Sequence, residues 1–99
     1  MYKTKRWKSK RKRILRKAEY LCQESKRYGK HVTATTVHHI FPVDEYPSLA
    51  FVDENLLALS ESKHNQMHDR STGKITELGK YWQAKASPLL EGVFLCPKG

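Results

Sequence analysis

The 99-residue chain can build one small core, and a hydrophobic content of 38% makes that core thin. No apolar run approaches the length of a membrane span, and no signal-peptide core is present; both predict a soluble, cytoplasmic protein. Cys22 and Cys96, the only cysteines, predict reduced thiols rather than a disulfide framework, with a Cys22–Cys96 bridge as the alternative.

The net charge of +9 is unevenly placed. Residues 1–17 carry ten lysines and arginines and no acid, whereas residues 18–99 are close to neutral. The pattern reads as a basic N-terminal arm, residues 1–17, ahead of a single domain at 18–99. Such an arm finds a polyanion, because neutralising phosphates releases condensed counterions. Lys5, Arg6, Lys8, Lys10, Arg11, Lys12 and Arg13 are its candidate phosphate contacts, and a solvated face or attraction to anionic lipid is the alternative.

In chain order, Ile14, Leu15, Ala18 and Leu21 fall near one face of a helix over 10–21. Trp7 and Tyr20 interleave with the cations and are expected to pack on the domain. Gly29 marks a turn. Residues 32–40 are rich in β-branched side chains and read as a strand, which Pro42 and Pro47 end around an acidic loop at Asp44 and Glu45. Asn55 then precedes a second short strand, Leu56 to Leu59. Ser60 or Ser62 is placed to cap a helix from about Lys63 to Arg70, ended by Gly73. A last helix is expected from Ile75 to Ala86, with Leu78, Tyr81 and Trp82 inward and Pro88 as its stop. The tail from Gly92 to Gly99 is expected to dock through Val93, Phe94 and Leu95.

Four of the five histidines form two pairs. His38 and His39 are adjacent on the first strand, where neighbouring residues point to opposite sides. His64 and His68, four apart on the expected helix, would share one face. Two imidazoles at that spacing suit a transition metal, with a third ligand from His38 or His39. His31 belongs to no pair and takes no role.

The run Thr36-Val37-His38-His39-Ile40-Phe41-Pro42, then Asn55-Leu56, then His64-Asn65-Gln66-Met67-His68, resembles the HNH endonuclease motif, and most of all its short bacteriophage forms. Residues 20–30 are similar to the segment that precedes the motif there, so the likeness covers about residues 5–70, with its core at 36–70. It implies an α+β chain with the ββα-metal (His-Me finger) fold: a two-stranded hairpin, then a helix, with a metal between them. Around that core stand a basic N-terminal helix or arm and a C-terminal helix. It further implies that His39 is the general base, that His38, His64 and His68 are metal ligands, and that Asn55 ties the hairpin loop and orients His39. The implied cofactor is one divalent ion (Mg²⁺, Mn²⁺, Ni²⁺, Co²⁺ or Zn²⁺) and the implied reaction is hydrolysis of DNA phosphodiester bonds. Lys63 and Arg70 flank the metal helix and are candidate strand contacts, although solvated surface charge is the plainer reading.

The sequence departs from many relatives at the structural zinc site. Where they carry two Cys-x-x-Cys pairs, this chain reads Cys22-Gln-Glu-Ser25 and Ser60-Glu-Ser-Lys63. A hydroxyl is a poor zinc ligand and an ammonium cannot be one, so structural zinc is expected to be absent. Cys22 then becomes a small buried hydrophobe, and C-terminal apolar residues are expected to cover the vacated place. The resemblance also suggests a phage setting beside the packaging terminase, as monomer or homodimer. Two other classes compete: a non-catalytic DNA-binding module on the same fold, and a basic RNA-binding or ribosome-associated protein. The second leaves the histidine spacing unexplained.

Overall fold

The computed structural model describes residues 4–94, with side chains as far as Glu91. The first helix, α1 (Lys5–Lys17), buries Trp7, Ile14 and Leu15, which recur on one face of a 3.6-residue period. It begins earlier than the sequence periodicity suggests because Thr4 caps it, the hydroxyl accepting from the Trp7 N–H at 3.1 Å. It also ends earlier. Glu19 and Tyr20 take positive φ values of 56° and 59°, which turn the chain back and leave Tyr20 half exposed rather than packed.

That reversal uses the start of the expected first strand. Leu21 bridges to Thr33, Cys22 N–H donates to Val32 at 2.7 Å and Ala34 N–H to Tyr20 at 2.7 Å. The regular strand β1 is therefore Thr36–His39, shorter than the expected 32–40. Between these parts lies the short helix α2 (Gln23–Arg27), whose buried Glu24 receives two charged hydrogen bonds from Arg27, at 3.0 and 2.9 Å. Strand β2 is Leu56–Leu59, as the sequence suggests. The two strands pair antiparallel, with Thr35 N–H donating to Leu59 at 3.1 Å near one end and Ile40 N–H to Asn55 at 2.9 Å near the other. This is the hairpin the resemblance implies. A helix, α3 (Glu61–Asn65), follows it.

By contact, the chain divides at His38/His39, Leu56/Leu57 and His64/Asn65 into two units. The first holds everything up to His38 with Leu57–His64. Its apolar interior is Trp7, Ile14, Leu15, Cys22, Ala34, Val37 and the inner part of β2. The second holds His39–Leu56 and everything from Asn65, around Ile40, Leu49, Met67, Trp82 and Leu90.

The last helix, α4 (Glu77–Phe94), runs through Pro88 rather than stopping before it. An interior proline costs about 3 kcal/mol. Leu90, fully buried one turn beyond Ala86, offsets that cost by removing a large apolar side chain from water. Trp82 is buried, Leu78 is half-buried and Tyr81 is 39% exposed, so the expected inward face is narrower. Of the expected docked tail, the side chains of Val93 and Phe94, and Leu95 with all that follows, lie outside the described residues.

One glycine sets how closely α4 approaches its neighbours. A Cβ on Gly79 would stand 2.7 Å from the Met67 carbonyl oxygen and collide with the Ile75 side chain. Alanine is ordinarily the better helix former by about 1 kcal/mol. Here the backbone contact reverses the sign, and Gly79→Ala should lower stability by about 1–3 kcal/mol in thermal or urea unfolding. A stabilised variant would show that the contact yields freely.

Candidate active site

The second unit holds Asn55, His39 and His68. Asn55 is fully buried at the mouth of the hairpin, and both ends of its carboxamide are used. Its Oδ1 accepts from Phe41 N–H at 2.8 Å, and its Nδ2 donates to the carbonyls of Phe41 and Leu49, each at 3.2 Å. The irregular segment between the strands is thereby closed on itself. Ala50, inside that closed segment, presents its carbonyl to His39 Nε2 at 3.0 Å. A carbonyl only accepts, so Nε2 carries the proton and, in the neutral ring, the lone pair is on Nδ1. Burial pushes the His39 pKa below its usual value, and the Ala50 hydrogen bond opposes this only in part. The ring is therefore neutral at pH 7.

His38 and His64 belong to the first unit. Their rings meet edge to face with centroids 5.2 Å apart. His38 is buried in β1 and His64 half-buried in α3, where Ser60 supplies the cap through Oγ to Lys63 N–H at 3.3 Å and through its carbonyl to His64 N–H at 2.9 Å. Adjacent in sequence, His38 and His39 thus take different partners, as residues on opposite sides of a strand must.

The expected helix over 63–70 is not formed. The helix there, α3, stops at Asn65, and the carbonyls that follow it are engaged elsewhere. Thr76 Oγ1 reaches Gln66 O at 2.7 Å and Met67 O at 3.0 Å, and Thr76 N–H donates to Met67 O at 3.0 Å. His68 instead bridges to Ile75 across a tight turn. Asp69 N–H donates to Lys74 O and Gly73 N–H to Asp69 O, both at 2.7 Å, with Gly73 at φ 73°. Hydrogen bonds from the Ser71 hydroxyl, then from the Ser71 and Thr72 amides, hold the Asp69 carboxyl below its ordinary pKa. So His64 and His68 do not share a helix face, and the spacing argument for that pair does not stand. Among the described residues, no group of three or more His, Cys, Asp or Glu side chains is gathered as a metal cage.

Two supporting residues escaped sequence reasoning. Gln83, on α4, donates from Nε2 to the Ile40 carbonyl at 3.2 Å, directly after His39. Thr76 both holds the carbonyls just past α3 and caps α4, its Oγ1 accepting from Gly79 N–H at 3.2 Å. The Asp69-Arg-Ser-Thr-Gly73 run is a turn signal of the usual kind. Nothing local marks Gln83.

Of the basic candidates, Lys5, Arg6, Lys8, Lys12 and Arg13 are exposed on α1, and Lys10 is half-buried. Arg11 is also half-buried and donates to the Thr35 carbonyl at 2.6 Å, which fastens α1 beside β1. Lys63 is half-buried and Arg70 exposed. At the vacated zinc position, Cys22 is a free, fully buried thiol. Burial raises its pKa, but hydrogen bonds with the side chains and backbones of Ser25 and Ser60 outweigh that and bring it below the ordinary value. The donor set does not fit zinc; the groups satisfy one another instead.

Replacing Asn55 tests the loop closure. Asn55→Ala strands the buried Leu49 carbonyl and the part-buried N–H and carbonyl of Phe41, and should destabilise the protein by about 2–4 kcal/mol. Asn55→Asp keeps the acceptor for Phe41 N–H but sets a carboxylate against two carbonyls. Its folded pKa then lies above the unfolded one, so the loss should be full at pH 7 and shrink as pH falls. Unfolding of both variants at pH 5 and pH 7 decides; an Asp variant that weakens on acidification would contradict the geometry.

No family model matches the chain, and no curated protein is significantly similar to it. Among solved structures, it is similar to the HNH endonuclease of the deep-sea thermophilic bacteriophage GVE2, crystallised with manganese ion. Identity is 33% and the TM-score 0.63, over 65% of this chain and 70% of that one. With the hairpin and the buried asparagine in place, that likeness shows that the chain belongs to the HNH endonuclease family.

Proposed function

We propose that the protein is a divalent-metal-dependent DNA endonuclease, with His39 as the base that takes a proton from the attacking water. The observation that carries this reading is the His39 hydrogen bond to Ala50. It fixes the tautomer, places the lone pair on Nδ1, and acts on a ring that burial keeps neutral. Asn55 is a positioning residue that holds the segment containing Ala50.

His38 and His64 are the proposed ligands of the cation, and His68 is the third that the resemblance implies. The meeting of the His38 and His64 rings supports the first two, since imidazole suits Mn²⁺, Ni²⁺ or Zn²⁺. Mg²⁺ prefers oxygen, which phosphate and water supply. The phage relative's manganese supports a divalent cation in general. When bound, such an ion neutralises charge on the phosphate and on the departing oxygen. Lys5, Arg6, Lys8, Lys10, Lys12 and Arg13 are proposed to hold DNA phosphates without reading sequence, with Lys63 and Arg70 as a second set. Genome packaging beside a phage terminase, in the host cytoplasm, is the setting that the resemblance suggests. Among the described residues no helix is long and apolar enough to cross a membrane.

Conversion of supercoiled plasmid to nicked and linear forms tests the chemistry. Wild type should cut with Mn²⁺ or Mg²⁺ and stop with EDTA, and His39→Ala should cut at least about 100-fold more slowly. A folded His39→Ala variant with full activity would remove His39 as the base. Folded wild type that binds DNA yet cuts with no metal would turn the reading to a non-catalytic module.

Salt dependence tests the grip. With the exposed Lys5, Lys8 and Lys12 all changed to Gln, the slope of log Kd against log salt should fall by about 0.9 for each phosphate that is no longer neutralised. Turnover at saturating DNA and low salt should hold. An unchanged slope would place the DNA elsewhere.

A further inference from the structure

The second unit contains a cavity of about 430 Å³, built from three segments: the loop at 41–46, the turn after His68, and the first turns of α4. None of its chemistry is used by the proposed hydrolysis except at one edge, where His68 lines it. The loop contributes Phe41 and Tyr46, half-buried rings packed edge to face at 5.2 Å. The other two segments contribute the exposed ammonium groups of Lys74 and Lys80 and the carboxamide of Gln83. Aromatic rings on one side, cations on another and an amide within is a donor set for a planar heterocycle carrying a phosphate.

We propose that this cavity receives a single unstacked nucleotide of the DNA substrate, its base against Phe41 and Tyr46 and its phosphate toward Lys74 and Lys80. The inference rests on the nuclease reading and deepens it by naming a substrate subsite. Size agrees: the volume is within the range of about 300–1,000 Å³ typical of small-ligand pockets and far too small for a duplex. Charge agrees as well. Glu45, from the aromatic segment, repels phosphate on its own side and so directs it toward the lysines. Lys80 lies 3.8 Å from Glu77, but both are exposed, and so loose a pair yields readily to a phosphate. Every base has a π-face, so stacking here is sequence-tolerant.

The test uses the full chain with EDTA present, so that nothing is cut, and single-stranded oligonucleotides carrying 2-aminopurine at one position. Binding should quench the fluorophore where the base stacks, and Tyr46→Ala should abolish that quench and raise Kd about 5- to 150-fold. Tyr46→Phe, which keeps the ring, should retain both. Lys74→Gln, at an exposed position that threatens no core, should weaken binding of the strand while sparing a strand with a neutral linkage at that phosphate. An abasic site at the quenched position should make wild type and Tyr46→Ala equal. Unchanged quenching in Tyr46→Ala, or no strand binding at all, would overturn the subsite. His39-dependent plasmid cutting alongside either result would leave the nuclease reading standing by itself.

Discussion

The buried carboxamide of Asn55 is the interaction on which the rest of the second unit depends. The chain between Phe41 and Asn55 is irregular, with two short 3₁₀ turns at Pro47–Leu49 and Asp53–Asn55. A segment of this kind exposes many backbone polar groups and carries the entropy of an open loop. Asn55 answers both problems with one side chain, since its three hydrogen bonds join the start, the middle and the end of the segment. The Ala50 carbonyl that orients His39 lies within the closed part. Loop stability and the orientation of the His39 ring are therefore one property, not two. Gln83 adds a brace from α4 at Ile40, so His39 is held from both its loop and its strand.

In the first unit the organising problem is different, because a buried thiol and two buried hydroxyls stand together on tight turns. Cys22, Ser25 and Ser60 are all buried, and their polar atoms face one another. Backbone bonds hold the turn: Lys26 N–H to Cys22 at 2.9 Å and Lys30 N–H to Ser25 at 3.0 Å. The Glu24–Arg27 pair, bidentate and with its carboxylate 2% exposed, stiffens the same short helix. Hydroxyls and a thiol supply far less energy than tetrahedral zinc, yet they leave no buried polar side-chain atom without a partner among the described residues.

These two arrangements explain what was legible in the sequence. Leu56–Leu59 was readable as a strand because four consecutive apolar residues between turn signals have few other fates. His38, His39 and Asn55 stand out in the sequence because a motif ties them to one another, and all three are buried. The course of the chain after α3 was not readable, since its carbonyls are held by Thr76, eleven residues beyond Asn65. Likewise, Pro88 is a stop signal by local rules and an interior residue in fact, because the burial of Leu90 acts across a distance no window contains. Tertiary hydrogen bonds and burial overrode local preference in both cases.

The basic segment shows the same override, with a consequence for binding. As an isolated peptide α1 is a poor helix: Lys8 and Lys12, Lys12 and Arg16, and Arg13 and Lys17 are like charges four residues apart. Cations in its first turn oppose the helix dipole, and only Arg16 and Lys17 at its end agree with it. The helix forms because Trp7, Ile14 and Leu15 bury one face and Arg11 fastens to Thr35. Its exposed cations are thereby ordered before any polyanion arrives, which lowers the entropic cost of contact relative to a disordered arm. A polyanion would in turn relieve the repulsion that strains the helix. By linkage, whatever binds phosphate through α1 also stabilises the fold around it, and salt acts on both together.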